Sequence, residues 1–295
     1  MGEIAALLTA ACWAVSSIFF TTTSREVGAV TVNRVRLIFT ALFVLIAHTL
    51  LTGHPLPLDA EPFRWLWLGL SGVVGLVLGD SFLFESYRLI GNRLGTLLMA
   101  SVPVVSSLEA WIFLKEDLSF TTIVGILVCV SGISLVLLER KTVNGAPEKR
   151  QYLRGVLFGL GGMMGQASGL VMAKLGLVND FPSISGVAIR MVTAMAVLWA
   201  AALLMGQAKP TLQKVLSRPR IVRHILGGSL IGPFIGVWLS QIAIQQTYVG
   251  IASTLMALTP ILMLPIAHWY YKEQISSRAI LGTMVALAGA AVIFL

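Results

Sequence analysis

Charge is what this sequence of 295 residues has least of. Asp, Glu, Lys and Arg make up 12% of it, about half the share of a soluble domain. Cysteine is almost absent. Cys12 and Cys129 sit in separate apolar runs, so packing is their simplest role and no disulfide framework follows. Histidine is scarce too, and His48, His54, His224 and His268 lack metal-ligand spacing, so no metal site is expected. The sequence has no glycine-rich phosphate loop, no nucleophile–histidine arrangement that can share one membrane depth, and no carboxylates at acid/base spacing. Catalysis, ATP-driven pumping and a cofactor are therefore not expected. The net charge of +8 would suggest nucleic acid in a soluble protein. Here the basic residues flank apolar runs, where membrane orientation accounts for them and no nucleic-acid partner is needed.

What the sequence does have is apolar length. The hydrophobic fraction is 57% and the mean hydropathy +0.88, which places most of the chain in a lipid bilayer. The pattern predicts an all-α integral membrane protein with ten spans, at about 4–22, 33–52, 64–88, 94–114, 121–138, 153–175, 183–205, 222–246, 250–271 and 277–295. The first run has no basic leader and no small-residue cleavage site, so no signal peptide is expected. The polar stretch 139–152 is the clearest linker. It divides a first unit, 1–138, from a second, 153–295, and 206–220 is the other long polar joint.

The two units repeat one another. Shifted by 157 residues, Leu98, Met99, Ala100, Pro103, Ala110, Lys115, Glu116 and Ser119 fall on identical residues, as do Ile123, Gly125, Val128, Gly132 and Leu138. Five spans per unit is an odd number, so the second unit enters the membrane from the opposite side and the repeats are inverted. Two such halves can exchange roles as inner and outer gates around a central site, as carriers do. Orientation follows from the basic residues. Alternate loops and adjoining helix ends hold Arg25, Arg34, Arg88, Arg93, Lys141, Lys149, Arg150, Lys209, Lys214, Arg220, Lys272 and others, against Arg64, Lys115 and Lys174 in the opposite set. This places the first set in the cytoplasm and both termini outside, in a cytoplasmic (inner) membrane.

Small residues mark where spans meet. Gly75 and Gly79 in span three match Gly232 and Gly236 in span eight at the same shift, and span six carries Gly161, Gly165 and Gly169. Such stripes let backbones approach closely, for static packing or for rocking. Pro103 and Pro260 free the carbonyls of Met99 and Met256, for a kink or for gating.

Charges within spans need a reason, because each costs about 2.5–3.5 kcal/mol at a helix centre on insertion scales. Asp80 and Glu109 have no opposite charge on their own spans, and Arg36 and Arg190 can supply one across the bundle, as ion pairs or as substrate clamps. Glu85 and Arg88 are spaced to pair with each other. Two polar faces combine an aromatic wall with hydrogen-bonding groups, as a small-molecule site requires. Trp13, Ser16 and Ser17 form one on span one; Trp238, Gln241 and Gln245 form the other on span eight. Gln166 and Thr259 complete the ring.

The duplicated Lys–Glu pair twelve residues after a span proline resembles the EamA-type transporters of the drug/metabolite transporter superfamily. So do the glycines seven apart in spans five and ten, and the arginines Arg36 and Arg190 near the starts of spans two and seven. The resemblance implies a ten-helix carrier, with a central cavity lined by spans one, three, four, six, eight and nine and with spans five and ten outside it. It also implies a non-ATP carrier exporting small metabolites, amino acids among them, as a monomer or homodimer in the bilayer. On one point the charge count differs, since bacterial relatives keep both termini inside. A lipid carrier and an intramembrane enzyme are the competing expectations.

Overall fold

In lipid a chain must satisfy its own backbone polar groups, and a run of apolar residues does so as helix. The computed structural model describes residues 1–137, 149–271 and 276–293, and these contain helices and no strand. In order they are α1 (Gly2–Val27), α2 (Ala29–Thr52), α3 (Pro62–Gly72), α4 (Asp80–Met99), α5 (Val102–Leu114), α6 (Phe120–Leu137), α7 (Lys149–Gly176), α8 (Ser183–Leu204), α9 (Ala208–Leu216), α10 (Pro219–Ser229), α11 (Val237–Gln246), α12 (Val249–Met256), α13 (Thr259–Tyr271) and α14 (Ser277–Ile293). A π-helical turn, Val73–Gly79, joins α3 to α4; a second, Leu230–Gly236, joins α10 to α11. Eight helical stretches among the described residues are long and apolar enough to cross a membrane, and Val249–Pro265 and Ser277–Ile293 are shorter apolar helices. Large apolar side chains at helical spacing, such as Leu42, Ile46 and Leu50 on α2 or Ile123 and Leu127 on α6, face outward. This is an all-α, multi-spanning membrane fold.

Small residues fill the interior because the helices touch backbone to backbone. α7 runs antiparallel along α3 and α4. Gly176 meets Leu68, Gly169 meets Gly75, Gly165 meets Gly79 and Gly155 meets Ile90. α1 runs antiparallel along α10 and α11 in the same manner, with Phe20 on Gly228, Ser16 on Gly232 and Cys12 on Gly236. The tightest crossing is α6 on α14. There a Cβ on Gly132 would lie 2.3 Å from the backbone nitrogen of Ala286, and one on Gly289 2.3 Å from that of Cys129. Cys12 and Cys129 are both free thiols at such crossings.

Several boundaries differ from the sequence reading. Pro103 and Pro260 do not kink continuous helices. The chain breaks ahead of each, at Ala100–Ser101 and at Ala257–Leu258, and each proline lies in the first turn of the next helix. A first-turn N–H has no partner to lose there, so proline is tolerated. The Met256 carbonyl is taken by the Thr259 hydroxyl at 2.9 Å.

No loop separates spans three and four, because helical turns continue to Met99. The direction nevertheless reverses. Gly95 lies against the Tyr87 ring, and the Tyr87 and Thr96 hydroxyls are 3.3 Å apart, whereas nine residues of straight helix would separate them by about 13 Å. The joint 206–220 contains the helix α9, whose Thr211 and Val215 turn inward. Helix α7 begins at Lys149, within the expected linker, while residues 139–148, Lys272 and Glu273 lie outside the described residues.

Gly132→Leu should prise α6 from α14 and destabilise the protein by about 3 kcal/mol. Thermal unfolding in detergent measures this, and Leu127→Ala on the lipid-facing side of α6 should leave the midpoint unchanged.

Candidate functional site

A π-turn carries one residue more than the α-helical register, so its hydrogen bonds run to the fifth residue back. The Asp80 N–H reaches the Gly75 carbonyl across the first turn, and the Val237 N–H reaches the Gly232 carbonyl across the second. The two turns are 157 residues apart, the same separation as the sequence repeat. Each bears on the opening or re-entering helix of the other unit. A Cβ at Gly79 would lie 3.4 Å from the Gln166 nitrogen, and one at Gly236 3.1 Å from the Cys12 Cβ. Gly75, Gly79, Gly232 and Gly236 are therefore contact points. The sequence predicts regular helix across both stretches; the matched glycine pairs, and Pro233 within the second, are the signals of the turns.

Asp80 closes the first turn and is almost fully buried. Its Oδ2 forms an ion pair with Arg36 of α2, and its Oδ1 accepts a hydrogen bond from Gln166 Nε2 at 2.8 Å. The same Gln166 amide donates to the Gly75 carbonyl at 3.2 Å. Arg36 Nε donates to Asn33 Oδ1 at 2.7 Å, and its guanidinium lies 5.7–5.9 Å from the ring centroids of Trp13, Phe20 and Phe84. Aromatic faces attract a desolvated guanidinium, so the pair sits in a cage that compensates both charges. Asn33 and Phe84 carried no signal of this in the sequence.

The remaining expected residues divide. Arg190 of α8 is buried against Gly72 and Gly75, with its Nη2 3.0 Å from where a Gly75 Cβ would stand. Among the described residues it makes no hydrogen bond or ion pair, and Asp80 acts on it only through space. Glu109 finds no arginine; its Oε1 accepts from the Ser168 hydroxyl of α7 at 2.8 Å. Ser16 is buried, bonded to the Trp13 carbonyl and pressed on Gly232, while Ser17 bonds to the Ala14 carbonyl and to the Met263 sulfur. Trp238 Nε1 donates to Ser183 Oγ at 3.0 Å and its ring stacks on Phe234. Gln245 Nε2 donates to the carbonyls of Phe181 and Leu177, which ties helix ends together. Gln241, between these two on the same face, is fully buried with neither amide atom bonded. Thr259 Oγ1 lies 3.4 Å from the Ala10 carbonyl as well as bonding to that of Met256. The expected Glu85–Arg88 pair falls on an arginine side chain outside the described residues.

One end of the bundle carries a latch. Lys174 forms an ion pair with Glu116, and Glu116 Oε2 accepts the Val249 N–H at 2.8 Å, capping α12. Lys174 also donates to the Thr247 carbonyl at 2.7 Å, beside the Tyr248 ring. The repeated Lys–Glu pair was the available sequence signal for Glu116; nothing in the sequence joined it to Lys174. At the same end Arg64 pairs with Glu61, donates to the carbonyls of Gly176 and Val178, and covers the Phe181 ring.

Comparison with known proteins gives the family. The model of the EamA-like transporter family matches residues 1–138 and again 153–295. The chain belongs to the EamA-like transporter family. A solved structure, described only as a crystal structure of a protein, superposes with a TM-score of 0.79 over 100% of this chain and 98% of that one. Its sequence identity is 16%, so the likeness concerns the fold alone. No curated protein matches significantly. As an EamA-like transporter the chain is a multi-pass membrane protein that moves small molecules across a membrane, and belongs with transporters rather than enzymes.

Arg36→Gln would leave Asp80 buried without its cation and should destabilise this EamA-like transporter by about 3–5 kcal/mol. The double variant with Asp80→Asn, which removes the stranded charge, should recover most of that loss. Unfolding midpoints of the three proteins in one detergent decide it.

Proposed function

We propose that the chain is a secondary carrier, built of ten spans as two inverted five-helix repeats, that moves a small metabolite by alternating access. The observation that carries this is the recurrence of the two π-turns at 157 residues, each packed on the first helix of the opposite unit. Paired breaks before Pro103 and Pro260 support it, since a hinge at equivalent points of both halves allows either end to open. The units are 1–138 and 153–295, and the membrane is the cytoplasmic one.

Trp13, Ser17, Trp238, Gln241 and Thr259 line the substrate path in this reading, with Glu109 and Gln166 facing it from the other side. Ser16 and Gln245 belong to the same two faces; like Ser17 and Thr259, they also bond to backbone carbonyls, so these side chains join packing to the path. Arg36, Asp80 and Gln166 hold the first π-turn in shape. The Glu116–Lys174 latch closes the outer end. Two of the three basic residues of that end, Arg64 and Lys174, are held by acidic and carbonyl partners, which supports placing the strongly basic end in the cytoplasm and both termini outside. Export of amino acids or related metabolites fits that frame.

The test is flux from reconstituted vesicles loaded with labelled amino acids, nucleosides, polyamines or small organic acids. Saturable release of one class supports the carrier, and release of none from correctly folded protein rejects it. Glu109→Gln should slow flux without lowering the melting temperature. Glu116→Gln should loosen the latch, so that Ser253→Cys, whose native hydroxyl is bonded to Ser106 at 2.8 Å, becomes reactive to an impermeant maleimide from the outer end. Unchanged labelling would mean that the latch holds no gate.

A further inference from the structure

Helix α9 lies across the end of the bundle opposite the Glu116–Lys174 latch, where it bears on α2, α8 and α10. Its Thr211 and Val215, one turn apart, face inward. Arg34 Nη1 of α2 donates to Thr211 Oγ1 at 3.1 Å, and Val215 packs with Val32, Val35, Ile221 and Ile225. Trp199 Nε1 of α8 donates to the Arg34 carbonyl at 2.9 Å, so one arginine ties three helices together.

The outer side of this joint combines two chemistries. Leu212 and Leu216, also one turn apart, are 36% and 64% exposed, and α8 runs out just before them on Leu203, Leu204 and Met205, all exposed. Around them stand Lys209, Lys214, Arg218, Arg220 and Arg223, each exposed. Among the described residues the acid they meet is Glu26, 3.9 Å from Arg218. The other four cations have no carboxylate there.

A joint standing in water gains nothing from such an exposed apolar group, and one deep in acyl chains does not gather charge. A short helix with leucines beside basic residues fits between the two, at headgroup level with its apolar side among the first acyl carbons. Trp199, five residues before the end of α8, stands where tryptophan marks that level. Clusters of lysine and arginine at this depth attract acidic lipids.

We propose that α9 and its joint to α10 form a docking surface for acidic phospholipids, with the anionic headgroups on Lys209, Lys214, Arg220 and Arg223 and the acyl chains on Leu212 and Leu216. A soluble polyanion would meet the charges and leave the leucines in water. A zwitterionic lipid would cover the leucines and leave the charges unanswered. Helix α10 leads into the second π-turn, so the lipid surface bears on that turn. The inference does not depend on the carrier reading.

The test uses the full-length protein in detergent micelles, titrated with phosphatidylglycerol or with phosphatidylcholine of the same acyl chains, and reads thermal unfolding and lipids retained in native mass spectrometry. Phosphatidylglycerol should raise the melting temperature further and be retained in greater number. K209Q/K214Q/R220Q/R223Q should weaken its binding at least about tenfold and leave the phosphatidylcholine response unchanged. L212Q/L216Q should weaken phosphatidylglycerol binding and leave heparin binding as it was, which separates a lipid from a soluble polyanion. Glu26→Gln, which releases Arg218, should increase the preference for phosphatidylglycerol, a gain that misfolding cannot imitate. Glycerol 1-phosphate, a headgroup without chains, should give no response. Equal retention of the two lipids, a preference that survives the four-residue variant, or a response reproduced by heparin or glycerol 1-phosphate would overturn the proposal.

Discussion

At Gly75 and Gly79 the chain has no side chain to hold α7 away, and the rest of the interior depends on that contact. Gly165 and Gly169 come within van der Waals range of the opposing backbone. In lipid, where no hydrophobic force distinguishes a helix face from an acyl chain, close packing of this kind drives association. The same closeness places the Gln166 amide on the Gly75 carbonyl. A carbonyl inside a π-turn is then satisfied twice, by the Asp80 N–H and by a side chain from another helix. Without the glycines α7 would stand further off and the Gln166 bond would be lost.

Once the turn is held, Asp80 points at Arg36 from a fixed backbone. A buried ion pair is a poor source of stability, since removing both ions from water offsets much of their attraction. What it supplies here is position. Arg36 is oriented by Asn33, by the carboxylate and by three aromatic rings, so α1, α2 and α4 are indexed against one another at one depth. The residue 157 positions on, after the second π-turn, is Val237, so one turn is followed by a charged side chain and the other by an apolar one.

Much of this was legible in the sequence because it rests on composition and repetition. Apolar length identifies the spans, and the shift of 157 residues aligns the two Lys–Glu pairs, the two prolines and the glycine pairs. The residues that enter the bundle interior, Asp80, Arg36, Arg190, Gln166 and Gln241, stand out as polar groups in apolar runs, and all five are now placed there or at its edge. Ser16, Ser17, Gln245 and Thr259 each bond to a backbone carbonyl in the structure. A polar side chain at helical spacing looks the same in sequence whether it faces a path or a neighbouring backbone, and only the neighbour distinguishes the two.

Pairing lay beyond the sequence for a simple physical reason: it depends on distances between residues far apart along the chain. Nothing in the order of residues joins Arg36 rather than Arg190 to Asp80, sets Lys174 on Glu116, or gives Glu109 a serine in place of an arginine. The breaks before Pro103 and Pro260 and the reversal after Tyr87 are likewise tertiary, because a helix stops where the packing of its neighbours makes stopping favourable. The sequence by itself determined an all-α, multi-spanning membrane chain with a repeated residue pattern and a few charges inside. The tertiary structure decided which of those charges form ion pairs and which do not, since charges at membrane depth are paired only by groups that packing brings within a few ångströms.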